Sequence, residues 1–310
     1  MYKNKVVKKK EMKIVSLFPA GSEIICEMGL SENLIAVSHE CDYPALLKKK
    51  IQVTSSIIPK STDQILIDKL VKNAIQDNLP IYKINNDKIL DINPDLIITQ
   101  GLCEVCSISE NVVQATLKNN LCTLTNKTKV ISMNATTFDE ICAEIIMIGQ
   151  EVDKLNIAKA IVETAFKKKN NLSKKITNKK ILLLEWINPY FTPGHWIPEQ
   201  IEMAGFVSCI GKKGEKSKEL NFEKIIEMDP DYIGLICCGY NLEENRLFAN
   251  QLYEDSRINH LDAIRNERVF AFDSNSYFSR PSLRILEGVE QLKEAFLYNN
   301  EIYQCKRSTY

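Results

Sequence analysis

Ile89-Leu90-Asp91-Ile92-Asn93-Pro94-Asp95-Leu96-Ile97-Ile98 and Ile225-Ile226-Glu227-Met228-Asp229-Pro230-Asp231-Tyr232-Ile233-Gly234 follow one local plan. In each, a helical run ends, a Pro and an Asp make the turn, and a short apolar run begins. Proline ends the helix because it lacks an N–H and disfavours helical backbone in the residue before it. The apolar runs are continuous rather than alternating, the pattern of strands in a parallel sheet buried on both faces. Each then enters a loop bearing cysteine. Two matching segments in one chain predict two lobes of similar construction.

The same strand pattern recurs on either side of each segment. Lys13 to Phe18, Leu34 to Ser38 and Val130 to Ser132 join the first, and Ile181 to Glu185 and Arg268 to Ala271 join the second. Helices are expected from Ser22, as a serine N-cap, to Met28, and over Thr62–Gln76, Ile197–Ala204, Asn221–Glu227 and Pro281–Leu297. Between the halves, Phe138, Ile141, Ile145, Ile148, Val152 and Leu155 recur at helical spacing. A helix over residues 137–175 would run roughly 55–60 Å, with a bend allowed at Gly149 or near Asp153. The expected fold is therefore α/β: two Rossmann-like lobes with mostly parallel sheets, joined by a long rigid backbone helix, with the ligand cleft between the lobes. The lobes are expected at residues 13–136 and 179–310, with the linking helical segment at 137–178.

The 310 residues carry 40 basic and 40 acidic side chains, so the net charge is zero. Nucleic-acid binders show a basic excess, and no nucleic-acid partner is expected. No apolar stretch approaches the ~20 residues of a membrane span, so no membrane insertion is expected. The basic start, Met1 to Lys10, is followed by an apolar run at the short limit for a signal peptide, without a small-residue cleavage site or lipobox cysteine. The expectation is a cytoplasmic monomer. Ten cysteines in a reducing compartment point to metal or redox groups rather than disulfides.

Several segments carry a specific resemblance. Ser16-Leu17-Phe18-Pro19-Ala20-Gly21-Ser22-Glu23, the two Pro-Asp strand starts and the intervening helix resemble the solute-binding proteins with a helical backbone, class III. That class binds iron chelates, metals or vitamin B12. Ser38 to Pro44, Thr99 to Cys106, Glu185-Trp186, Gly194-His195-Trp196, Cys238-Gly239-Tyr240 and Ser274 to Pro281 resemble its cobalamin-binding, B12-transport-like branch. The resemblance covers residues 13–297. It implies a binding protein rather than an enzyme, holding cobalamin, another tetrapyrrole or an iron or metal chelate. Exported receptors of the class carry a Gly-Gly loop with a docking carboxylate. Residues 79–86 lack both, which argues against a permease partner. An ABC-transporter receptor remains an alternative reading.

In α/β sheets, functional loops gather beyond the carboxyl ends of the strands. The candidate ligand contacts, all in such loops, are His39, Glu40, Trp186, His195, Trp196, Tyr240, Asn275, Tyr277 and Arg280. Large aromatic faces suit a flat apolar macrocycle, Arg280 offers forked donors to a carboxylate or phosphate, and imidazoles suit cobalt or iron. Cys103 and Cys106 form a C-x-x-C, and with Cys41 and Cys238 would complete a Cys₄ site for an iron–sulfur cluster or zinc. That is the basis of the second reading, a cytosolic metalloprotein or enzyme. The same C-x-x-C serves thiol redox work, and free cysteines are often buried as small hydrophobes.

Overall fold

The computed structural model describes residues 11–77, 79–101, 128–172, 177–298 and 300–307. They form two compact units. The first takes the described residues up to Ile57, those of Pro80–Asn134 and those of Glu151–Lys154. The second takes those of Ile58–Leu79, Ala135–Gln150 and Leu155 onward.

The first unit is built on β1 (Ile14–Ser16), β2 (Leu34–Val37), β3 (Ile51–Gln52), β4 (Thr54–Ser56), β5 (Tyr82–Ile84), β6 (Leu96–Gln100) and β7 (Lys129–Met133). Five of these form a parallel sheet in the order β3-β2-β1-β6-β7, while β4 and β5 pair antiparallel beside it. The first helix is Pro19–Glu27, not Ser22–Met28. Phe18 is its N-cap and Pro19 fills the first turn, where a missing N–H costs nothing. Ser22 therefore sits inside the helix, its hydroxyl against Cys41.

The second unit holds β8 (Lys180–Leu184), β9 (Trp186–Ile187), β10 (Tyr190–Phe191), β11 (Val207–Ser208), β12 (Glu219–Leu220), β13 (Tyr232–Leu235) and β14 (Val269–Ala271). Its parallel sheet runs β11-β8-β13-β14, and β12, β10 and β9 form a small antiparallel sheet. Leu182, Leu184, Leu235 and Val269 join Phe248 and Leu252 in one buried cluster. On another side, Phe296 packs edge-on against Phe206 and Phe270. Burial on both faces explains why the β8 run does not alternate. Each fully buried Leu or Phe contributes about 1.5–3 kcal/mol. Gly234 lies in this packing: a Cβ there would sit 2.4 Å from Leu183 Cδ2.

The two matching sequence segments fold alike. The helices Asn86–Ile92 and Phe222–Met228 each end on a left-handed residue, Asn93 (φ 48°) and Asp229 (φ 43°). Asn and Asp tolerate that conformation better than other side chains. After the proline, Asp95 accepts from Lys13 N at 2.9 Å, and Asp231 accepts from Lys180 N at 2.8 Å. The two lysines return the contact, Lys13 Nζ to Ile92 O and Lys180 Nζ to Met228 O, which are helix-end carbonyls. The corner thus welds a helix end to the start of a neighbouring strand. Partial burial would raise the Asp231 carboxyl, yet the bonds from Lys179 and Lys180 hold it below its ordinary value.

The segment expected to link the halves is two helices, Phe138–Glu151 and Leu155–Leu172. Asp153, left-handed at φ 57°, separates them. Helix Leu242–Glu254 was not among the expected elements, although its capping box, Asn241 with Glu244 three residues on, is a readable signal. Among the described residues no helix is long and apolar enough to cross a membrane.

Candidate functional site

In the second unit, the loops after β8, β13 and β14 interlock. Cys238 N donates to Glu185 O at 3.1 Å, and Asn275 N donates to Tyr240 O at 3.0 Å. Trp186 stands with its ring 5.6 Å from that of Tyr240, its indole N–H given to Asn188 O. Tyr240 is buried, its hydroxyl donating to Ser61 O at 2.7 Å. Burial pushes its phenol well above the ordinary value. Asn245 braces this arrangement from below. It is fully buried, accepts from Cys237 N at 2.9 Å and donates to Phe272 O at 2.9 Å.

A second group adjoins the first along the chain. His195, left-handed at φ 53°, lies over Trp196 with ring centroids 5.8 Å apart. Its backbone is pinned to residues 214 and 215 by Gly214 N to His195 O and His195 N to Glu215 O. Gly194 must be glycine, since a Cβ would lie 2.4 Å from Ser217 N. Burial holds the His195 imidazole below its ordinary pKa, and Lys216 lowers it further. Trp196 is buried and donates to Phe278 O at 2.9 Å. Tyr277 keeps partial exposure beneath the Arg284 guanidinium, 4.7 Å from its ring centroid.

Of the predicted contacts in this unit, Trp186, His195, Asn275 and Tyr277 are partly exposed. Trp196, Tyr240 and Arg280 are buried, at 4%, 5% and 4% exposure, so their first role is to shape the loops. Gln64 was not singled out in the sequence. It is buried and accepts from Ile187 N and Asn188 N at 3.0 and 3.2 Å, anchoring the helix Gln64–Gln76 beneath the Trp186 hairpin.

In the first unit the predicted residues follow β2. His39 Nδ1 lies 2.6 Å from Thr54 Oγ1, and Tyr82 donates to Glu40 Oε1 at 3.2 Å. His39 is partly exposed and Glu40 exposed. Cys41 is 2% exposed, its sulfur 3.1 Å from Ser22 Oγ. Cys238, in the other unit, is exposed. Cys103 and Cys106 lie outside the described residues. Among the described residues no group of three or more His, Cys, Asp or Glu side chains is placed to hold a metal. They therefore lend no support to an iron–sulfur or zinc site.

Parallel α/β units with aromatic and polar groups on the loops beyond the strand ends define a solute-binding protein of the helical-backbone class. The model of the periplasmic binding protein family matches residues 14–276, and the chain belongs to that family. Its relatives include an uncharacterised ABC transporter substrate-binding lipoprotein of Bacillus subtilis, YvrC, 22% identical over 304 residues, covering 93% of this chain and 81% of the relative. Among solved structures, the periplasmic vitamin B12-binding protein BtuF of Vibrio cholerae superposes with a TM-score of 0.64 at 20% identity, over 91% of this chain and 94% of that one. The periplasmic haem-binding protein HutB of Vibrio cholerae gives 0.67 at 18%, over 93% and 100%. These findings overturn the expectation of a cytoplasmic protein: the family is one of periplasmic binding proteins, and the curated relative is a transport lipoprotein.

Proposed function

We propose that this chain is the substrate-binding component of an ABC importer, and that its cargo is a tetrapyrrole or related metal chelate, a corrinoid or haem foremost. The observation that carries the reading is the set of partly exposed rings beyond the ends of the parallel strands, Trp186 in β9, His195, and Tyr277 in the helix Ser274–Tyr277, with Trp196, Tyr240 and Asn245 buried beside them. A flat macrocycle needs rigid apolar faces with a few polar anchors. Asn275 and Arg280 on the same loop are the proposed anchors for the carboxylate or amide edge. Relatives that bind vitamin B12 and haem support the same class of cargo. In this reading residues 13–136 and 179–310 act as the two lobes and 137–178 as the link. The protein is a monomer, and its partner is a permease of the ABC type, as the name of the Bacillus subtilis relative supports.

Titration of the full chain with aquacobalamin, ferric haem and a hydroxamate siderophore–iron complex tests this reading, with tryptophan fluorescence as the signal. Cobalamin or haem should quench Trp186, and Trp186→Ala should weaken binding about 10-fold, equivalent to ~1.4 kcal/mol. Binding of the siderophore complex alone would overturn the tetrapyrrole assignment, and binding of none would overturn the cargo class.

A further inference from the structure

Glu199 gathers three elements of the second unit on one carboxylate. It is 4% exposed and lies in the first turn of the helix Ile197–Met203, just after His195. Its oxygens accept from Phe138 N at 2.9 Å, Lys169 Nζ at 3.0 Å and Lys213 Nζ at 2.8 Å. Phe138 N is an open N–H at the start of one linking helix, and Lys169 lies in the last turn of the other. Asp139, which is exposed, shares both lysines at 3.5 and 3.6 Å. A buried carboxylate is costly unless it is paired and hydrogen-bonded, and Glu199 is both. Lys213 leads to a different place. Residues 212–215 form a turn closed by Glu215 N to Lys212 O at 3.0 Å, with Gly214 left-handed at φ 83°. The Gly214 N–H and the Glu215 carbonyl of this turn are the groups that hold the His195 backbone. The His195 ring lacks a comparable hold at Nδ1, which is buried and without a hydrogen-bond partner among the described residues.

We propose that Glu199 and Lys213 are the positioning pair that sets the His195 ring for the cargo. This rests on the cargo reading above, in which His195 is one of the partly exposed rings. The chain of contacts is short. Lys213 is anchored on Glu199, and the turn that carries Lys213 grips His195 at both its N–H and its carbonyl. That grip holds His195 at φ 53°, a left-handed backbone that a residue with a side chain keeps only when its surroundings impose it. With the backbone fixed there, the ring lies over the buried Trp196. Lys169 is the internal contrast: it pairs with the same carboxylate but leads to the linking helices and not to the turn. A positioning group can cost no more affinity than the contact it positions. The loss on cutting Lys213 is therefore bounded by the loss of His195 itself.

The full chain is titrated with ferric haem and with aquacobalamin, read by tryptophan fluorescence. Wild type is compared with His195→Ala, Lys213→Met, Lys213→Arg, Glu199→Gln, Lys169→Met and the double variant His195→Ala/Lys213→Met. Folding is checked by circular dichroism, and Lys213→Gln takes the place of Lys213→Met if that variant does not fold. His195→Ala should weaken binding about 10-fold, and Lys213→Met about 5-fold, with Lys213→Arg close to wild type. Glu199→Gln keeps an acceptor for Phe138 N without the charge and should match Lys213→Met. In the His195→Ala background Lys213→Met should cause no further loss, because the ring it positions is gone. Lys169→Met should leave affinity unchanged. Without cargo, the His195 imidazole NMR resonance, identified by its absence in His195→Ala, should shift in Lys213→Met and stay in place in Lys169→Met. Wild-type affinity in His195→Ala or Lys213→Met overturns the pair. So do additive losses in the double variant, equal losses from Lys169→Met and Lys213→Met, or an unshifted resonance. Failure of the wild type to bind either compound overturns the cargo reading, and the resonance then decides separately whether the pair sets the ring.

Discussion

Replacing Asn245 with alanine should destabilise the second unit and loosen its ligand loops together. The side chain is 0% exposed. Its oxygen accepts from Cys237 N, and its amide lies 2.9–3.3 Å from Phe272 O, Asn241 O and Tyr240 O. Two of those carbonyls keep other partners, Tyr240 O from Asn275 N and Asn241 O from Asn245 N. Two buried groups then remain without a replacement, the Cys237 N–H and the Phe272 carbonyl. At about 1–3 kcal/mol each, Asn245→Ala should cost about 4 kcal/mol. For a unit of this size that lowers Tm by roughly 8–16 °C. Both tryptophans, Trp186 and Trp196, lie in this unit, so urea or thermal unfolding followed by tryptophan fluorescence reports on it selectively. Asn245→Asp separates geometry from hydrogen bonding. It keeps the acceptor but turns a carboxylate toward the Phe272 carbonyl, and should be at least as damaging at pH 7. An Asn245→Ala protein within about 1 kcal/mol of wild type would refute the argument that this side chain holds the loops after β13 and β14.

Two other outcomes follow from the burial of charge and sulfur. Burial pushes the thiols of Cys142, Cys237 and Cys305 up to about 12, while the neighbouring Cys238 is exposed. Iodoacetamide at pH 8, read by peptide mass spectrometry, should therefore modify Cys238 at least ~10-fold faster than those three, and equal rates at Cys237 and Cys238 would contradict the packing. The Arg257 guanidinium and the Tyr190 hydroxyl hold the Asp255 carboxyl down at about 2. A carboxyl depressed on folding contributes stability above its unfolded value, near 4, and loses it as pH falls toward 2. Asp255→Asn should flatten the pH dependence of urea midpoints across that window, and an unchanged slope would show that the pair adds nothing.

The parts legible in the sequence are those with local causes. The Pro-Asp corners could be read because proline, a left-handed Asn or Asp and a following apolar run act within ten residues. Seven of the nine strands of the two parallel sheets were visible as short apolar runs, while the edge strands β3 and β11, two residues each and largely exposed, gave no such run. Trp186, His195, Asn275 and Tyr277 could be placed beyond the ends of the parallel strands for the same reason, although Trp186 lies in the short strand β9 and Asn275 and Tyr277 in the helix Ser274–Tyr277. The start of the first helix was misplaced because a serine inside a first turn looks like a cap, whereas Pro19 had already set the backbone. The location was misread from the first residues of the chain, and family membership corrected it.

Only tertiary structure could decide which polar groups brace the loops. Nothing within a few residues of Gln64 or Asn245 indicates that each completes backbone hydrogen bonds more than a hundred residues away or across two strand ends. Lys13 and Lys180 look like ordinary surface lysines until each is found bonding a helix-end carbonyl from the neighbouring strand. His39 was a candidate by residue type, but its contacts with Thr54, through the backbone N–H and through ring Nδ1, join positions fifteen residues apart that only the folded chain brings together. The sequence by itself determined the repeated α/β plan, because periodicity and turn chemistry are local. The pairing of buried donors and acceptors is a matter of distance in space, and folding alone decided it.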